Sequence, residues 1–403
     1  MTEGTASGGP FHTIATHHEY QLAVEKISSG EGPIAVDAER ASGFRYSQRA
    51  YLIQMFREGS GTFLFDPIGL GGFDELNLAI QNVEWIFHAA SQDLACLREV
   101  GLEPTKIFDT ELGARLAGLP RVGLATVVEE LLGIHLAKEH SAADWSTRPL
   151  PESWLEYAAL DVELLVRLRS EIDSILHNQG KQSIAAEEFQ ATLERAPKPS
   201  MAEPWRRLSG VHTLKHPRSL AVARSLWVSR DEYAREIDTA PGRLLPDSSI
   251  VAVSKTLPES AKALASTKEF TGRASRSQLE LWWNAIERGL TSTDLPEARA
   301  QGDGIPNPRT WPDKHPEADR RLRSAKSAFS KLSEELAIPV ENLLTPELLR
   351  QIAWNNPQSS ELLIEALKDG GARNWQIEFA VPTIENAFVE AVQSTQDSLE
   401  SDS

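Results

Sequence analysis

The chain has 403 residues, 41 % of them apolar and 25 % charged, which is the composition of an ordinary globular protein and not of a fibrous or disordered one. At roughly 100 to 200 residues per domain it has room for two to four domains. A formal net charge of −17 argues against indiscriminate binding to nucleic acid, no run approaches the roughly 18 apolar residues of a membrane span, and a single cysteine, Cys96, excludes an internal disulfide.

The start, "MTEGTASGGPFHT", lacks the basic residues and apolar core of a signal peptide. A disordered stretch is expected over 1–12, and the protein is expected to be a cytoplasmic enzyme. From 33 to 67 the chain reads as strands, "PIAVDA", "RAYLIQMF" and "GTFLFDP", separated by polar or Gly-containing turns. "VEWIFHAA" is a fourth strand, and Ser91 is placed to N-cap the helix "SQDLACLREVG", which Gly101 closes. "DTELGARLAGL" and "LATVVEELLGI" add helices, and a long helix is expected from about Pro151, in its first turn, to about His177. Strands first and then strands mixed with helices predict an α/β domain with helices on a mixed sheet.

"SIAAEEFQATLERA" is a helical connector and "PKPSMAEP" a linker, together spanning 181–203. Beyond residue 204 only helices are predicted. "LLPDSSIVAVSKTLPES" from Leu244 resembles "LLTPELLRQIAWNNPQS" from Leu343. Leu244, Leu245, Ile250, Pro258, Ser260 and Leu264 match Leu343, Leu344, Leu349, Pro357, Ser359 and Leu363, all at one offset of 99. A shared offset suggests a duplicated helical module. Two small helical domains are expected, 204–285 and 318–385, joined by a helix end and loop over 286–317. The polar tail 386–403 is acidic and expected to be disordered. Residues 196–275 hold 13 Lys and Arg against 8 Asp and Glu, a balance of +5 that leaves −22 for the rest.

In a strand, residues i and i+2 share a face, so Asp37 and Glu39 would project side by side if the extended geometry reaches Glu39. Side-by-side anions repel unless a cation lies between them. Asp93 falls near the mouth of a strand-to-helix crevice, where open α/β sheets bind ligands. Asp161 sits in the apolar helix "YAALDVELLV", where an unpaired buried carboxylate is expensive, and Tyr157 lies four residues before it on the same face. Taken singly, each of these has a dull explanation in solvation or helix-dipole pairing. Carboxylates without His or Cys companions suit a hard cation, Mg²⁺ or Mn²⁺.

"VDAE", "FHAASQD" and "YAALD" resemble the three motifs of the DEDDy 3′–5′ exonucleases. "FDTELGARLAG" and "DWSTRPLPESWLEYAALDV" narrow the resemblance to ribonuclease D over residues 13–180. "WRRLSGVHTL", "RSLAVARSLWVSRDEYAREIDTAPGRLLPD" and "LPES" resemble the HRDC domain that follows the nuclease in that family, and "ENLLTPELLRQIAW" resembles its C-terminal helical domain. The family reads Thr where Ala38 stands, at a position that points away from the acidic pair. The resemblance implies a ribonuclease H-like mixed sheet flanked by helices, followed by all-α domains.

It implies also that Asp37, Glu39, Asp93 and Asp161 hold two divalent ions roughly 3.5 to 4 Å apart, that Asp37 bridges them, and that Tyr157 orients the attacking water. The reaction would be 3′–5′ hydrolysis of RNA to nucleoside 5′-monophosphates, with trimming of precursor transfer RNAs or other stable RNAs as the biological setting. Phosphate contacts are sought in the basic helical segment, at Arg206, Arg207, Lys215 and Arg218, and in Arg45 and Arg49 after the first motif. Phe44 and Tyr46 are candidates to stack bases; His88 and Arg148 are further substrate candidates. A monomer without membrane partner is expected. Single-stranded DNA as substrate, or a non-catalytic RNA-binding adaptor, are the alternatives.

Overall fold

The computed structural model describes residues 11–136, 142–196, 201–270, 272–298 and 304–401. The expected disordered start falls largely outside them, as does the middle of the Pro-rich linker. A mixed six-stranded sheet, flanked by helices, runs in the order β1-β4-β3-β2-β5-β6. The strands are β1 (Thr13–Ile14), β2 (Glu31–Arg40), β3 (Ala50–Glu58), β4 (Gly61–Phe65), β5 (Trp85–Phe87) and β6 (Ile107–Asp109). β2 pairs antiparallel with β3 and parallel with β5, which places it at the centre. Ile34, Ala35 and Val36 are fully buried there, as a strand covered on both faces requires.

Extended geometry lasts through Glu39, which pairs with Leu52 before the register shifts at Arg40. Asp37 and Glu39 therefore do share a face, while Ala38 between them is buried in the main core. The helix expected over 151–177 is instead two, Glu152–Glu163 and Leu165–Asn178, with Pro151 as N-cap residue of the first and not inside it. Ser91 is no N-cap either. Ala90–Gln92 forms one 3-10 turn, entered through Ala89 in the left-handed region at φ +71°, and Asp93 leads into the helix Leu94–Arg98.

The helical half repeats itself more fully than the two short stretches suggested. His216 and His315 precede the helices Pro217–Glu236 and Pro316–Leu336. Asp247–Thr256 and Pro346–Asn355 follow, ending at the left-handed Leu257 and Asn356, and Ser260 and Ser359 cap the next helices. The corner after each long helix is also left-handed, at Asp238 and Ala337 with φ +45° and +47°. All these pairs keep the offset of 99. The same left-handed conformation at the same two corners of each module is difficult to reach by chance.

Both modules press this first corner against the nuclease domain. Asp238 accepts hydrogen bonds from Ser47 N at 2.8 Å and Tyr51 Oη at 3.3 Å. Ala337 O accepts from the buried Lys181 Nζ at 3.3 Å and faces Gly118, where a Cβ would meet it at 2.7 Å. The cores differ, however. Phe329, Leu349 and Ile384 of the second module join the core of the sheet. The first module closes its own core around Trp205, Trp282 and Phe270. The segment from 386 is no separate tail: Asn374–Ser401 is one helix.

Candidate active site

Three elements converge at the C-terminal end of β2. β2 supplies Asp37 and Glu39, the turn after β5 supplies Asp93, and the helix Glu152–Glu163 packs across β2, β3 and β4 and supplies Tyr157 and Asp161. Carboxylate oxygens of Asp37, Glu39 and Asp161 lie within 4.8 Å of one another. Asp93, 4 % exposed, lies outside this trio but lines the same cavity of about 440 Å³, together with Tyr157 and His88. Its side chain makes no capping bond to its helix, so the carboxylate is available to the cavity.

So many acids in one place resist ionisation. Burial, then the neighbouring Asp37, Asp161 and Asp93, holds the Glu39 carboxyl well above its ordinary range. Burial and Asp37 do the same to Asp93, and they push Asp161 to about 7 despite a hydrogen bond from Tyr157 that favours its charged form. Asp37 raises all three of the others, which makes it the electrostatic centre of the group. Tyr157 is itself raised above the usual phenol range by burial and by Asp161, so it donates a proton in hydrogen bonds and does not act as a base.

Several residues here left no legible signal in the sequence. Arg40 lines the cavity, and its charge holds Asp37 and Asp93 below where burial alone would put them. Asp109 caps its own helix by accepting from Glu111 N and Leu112 N, and reaches back to accept from Ala89 N and Ala90 N at 3.0 and 2.9 Å. It thereby pins the turn that presents Asp93. Gln54, fully buried, stands opposite Asp37 on β3, and neither of its amide atoms has a partner among the described residues. Its "LIQ" setting reads only as strand.

The comparisons with known proteins agree with this geometry. Residues 11–177 match the family model of a 3′-5′ exonuclease, 219–286 that of the HRDC domain, and 304–388 that of a 3′ to 5′ exonuclease C-terminal domain. Ribonuclease D of Cronobacter turicensis is 30 % identical over 380 residues, covering 88 % of this chain and 98 % of that one. The chain belongs to the ribonuclease D family. A crystal structure of a protein from Bifidobacterium adolescentis is 36 % identical, with a TM-score of 0.87 over 94 % of this chain and 97 % of that one. Escherichia coli ribonuclease D, described as an exoribonuclease involved in structured RNA processing, is 26 % identical with a TM-score of 0.68, covering 95 % of this chain and 99 % of that one. The chain is thus a 3′–5′ exoribonuclease of a metal-dependent family, and it carries an acidic cluster at Asp37, Glu39 and Asp161. Among the described residues no helix is long and apolar enough to cross a membrane.

The expected substrate contacts fare less evenly. Arg148 spends its guanidinium inside the protein, forked onto Asp66 at 2.8 and 2.9 Å and bonded to the carbonyls of Tyr51, Trp145 and Thr147. Arg206 pairs with Glu203 and stacks on Trp205, and Arg218 donates to Gly289 O and Ser292 O. These three tie the fold together and do not reach for phosphates. Arg207 and Lys215 remain on the surface. His88 Nδ1 lies 2.9 Å from Thr110 Oγ1, whose proton goes to Phe87 O. Burial holds this histidine at about 4, so it faces the cavity neutral.

The loop after Glu39 is bound to the first helical module. Tyr46 packs on that module's core, and its hydroxyl donates to Asp231 at 3.0 Å, so its ring is not a surface for a base. Arg49 lies 3.8 Å from Asp238, and Arg45 donates to Ser146 at 2.8 Å. Phe44 alone of this group lines the cavity that holds the acidic cluster.

Proposed function

We propose that the protein shortens single-stranded RNA from its 3′ end, one nucleoside 5′-monophosphate at a time, with two divalent cations, Mg²⁺ or Mn²⁺, held by Asp37, Glu39, Asp93 and Asp161. The observation that carries the reading is the trio of carboxylates within 4.8 Å, with Asp93 beside them in one cavity. Oxygen donors alone suit hard cations, and carboxyls pushed upward by burial and then by one another bind cations in place of protons. Bound there, the cations would lower the pKa of water and offset charge on the leaving oxygen.

The residues of the chain divide the remaining work. Asp37, the electrostatic centre of the cluster, would hold the cations together with Glu39, Asp93 and Asp161. Tyr157 turns its hydroxyl from Asp161 to the attacking water and fixes the direction of attack; with its pKa raised it orients that water and does not deprotonate it. Arg40 lies beside the acids and accepts the negative charge of the incoming phosphodiester. Arg207 and Lys215 hold more distant phosphates. Precursor transfer RNAs are the substrate class to try first.

The test is a 5′-labelled oligoribonucleotide with a free 3′-hydroxyl, incubated with each metal beside a DNA oligonucleotide of the same sequence. A ladder shortening from the 3′ end of the RNA is expected, and Asp161→Asn should abolish it while RNA binding survives. Faster digestion of DNA would overturn the ribonuclease assignment; an inert wild-type protein would overturn hydrolysis altogether.

A further inference from the structure

The first helical module reaches the nuclease site through four residues, 240–243. Ala240 N donates to Phe44 O at 3.0 Å. Arg243 Nε donates to Gly43 O at 2.8 Å, and its guanidinium carbon lies 4.0 Å from the centroid of the Phe44 ring. Phe44 N in turn donates to Ala41 O at 2.8 Å, and Ala41 is buried 2 residues after the metal-site carboxylate Glu39. The ring of Phe44 and the carboxylates of Asp37 and Glu39 line the same cavity.

We infer that Arg243 of the helical module is a positioning residue for the active site, clamping Phe44 from one side so that its ring forms a platform for the 3′-terminal base. The inference rests on the exonuclease reading above. An exonuclease has to accept every base in turn, and an aromatic face does so because every base has a π face. An exposed Phe on a loop turns freely, and ordering it on binding costs affinity. Here the guanidinium over one face and the two hydrogen bonds donated by Ala240 N and Arg243 Nε to the loop carbonyls remove that freedom in advance. A cation on one face of a ring also draws on its electron density, which favours an electron-rich purine on the other. The platform stands five residues along the chain from Glu39, so seating the base sets the height of the scissile phosphate over the metal carboxylates.

The experiment uses the full chain and two 5′-labelled oligoribonucleotides that differ only at the 3′ end, one closing with adenosine and one with an abasic ribose. Stacking one base is worth about 1–3 kcal/mol, so Phe44→Ala should raise KM for the adenosine end at least about fivefold and leave the abasic end within about twofold. Arg243→Ala should reproduce most of that KM rise with kcat little changed, and the double variant should be no worse than Phe44→Ala. Arg243→Lys, which keeps the charge but not the flat stack, should fall between. Unfolding curves of each variant verify that both modules stay folded. An equal KM rise for both ends, as undocking of the module would give, overturns the inference, and so does additivity of the two substitutions. An inert wild-type protein would overturn the exonuclease reading and this inference with it; an active one with no base-dependent loss overturns this inference alone.

Discussion

Asp109 holds Ala89 in the left-handed region from 20 residues away, accepting its N–H at 3.0 Å while capping the helix that Asp109 itself begins. A non-Gly residue in that conformation is strained by roughly 1–3 kcal/mol and persists only when its surroundings enforce it. Asp109→Ala removes the cap and leaves the Ala89 and Ala90 donors buried without an acceptor. The expected loss is about 3 kcal/mol of stability, together with weaker Mn²⁺ binding because the turn carrying Asp93 relaxes. Urea unfolding and a Mn²⁺ titration of the same variant check both, and a variant with wild-type metal affinity would show that Asp93 is placed without this turn.

The acidic cluster makes the metal-free protein less stable as pH rises. The Asp161 carboxyl ionises at its ordinary 3.8 in the unfolded chain and at about 7 when folded. Between those values the folded state binds more protons, so stability falls with rising pH. Glu39 and Asp93, also raised, act in the same direction. Thermal unfolding with chelator should therefore show a melting temperature that drops from pH 5 to pH 8, and Mg²⁺ should restore more at pH 8 than at pH 5. Equal Mg²⁺ shifts at the two values would mean that the acids are already ionised in the metal-free protein.

Tyr157 lies one helical turn before Asp161, and its hydrogen bond favours the charged carboxylate. Tyr157→Phe removes the hydroxyl and this support together. A loss in kcat of roughly 10²-fold, at the low end for a positioned group in the transition state, is expected, with the acid limb of the activity profile moved to higher pH. Binding of an oligoribonucleotide, measured with Ca²⁺ in place of Mg²⁺, should stay within about threefold. An unshifted acid limb would separate Tyr157 from the ionisation of Asp161.

Gln54 offers a test in the opposite direction. Its amide is fully buried opposite Asp37, with neither polar atom partnered among the described residues. A buried group left unsatisfied costs about 1–3 kcal/mol, and an apolar replacement of like shape relieves it. Gln54→Leu should make the metal-free protein about 1 kcal/mol more stable, as measured by urea unfolding. Destabilisation instead would show that the amide finds a partner.

What the sequence determined by itself was whatever local periodicity encodes. The alternation of a strand puts Asp37 and Glu39 on one face, the helical turn aligns Tyr157 with Asp161, and the shared offset between Leu244 and Leu343 marks a duplication that the backbone corners at Asp238 and Ala337 extend. Each depends on neighbours only a few residues apart, or on a comparison of the chain with itself.

What only the tertiary structure decided was where the charges and rings of the loops go. Arg148, Arg206, Arg218 and Tyr46 read as nucleic-acid contacts because cations and aromatics look alike whether they face solvent or another domain. The partners that employ them, Asp66 for Arg148 and Asp231 for Tyr46, lie 82 and 185 residues away, and no periodicity reaches so far. The same holds for Asp109 beneath Ala89 and for Arg243 over Phe44, where an ordinary cap and an ordinary surface arginine become parts of the active site only once the sheet and the helical module have closed around them.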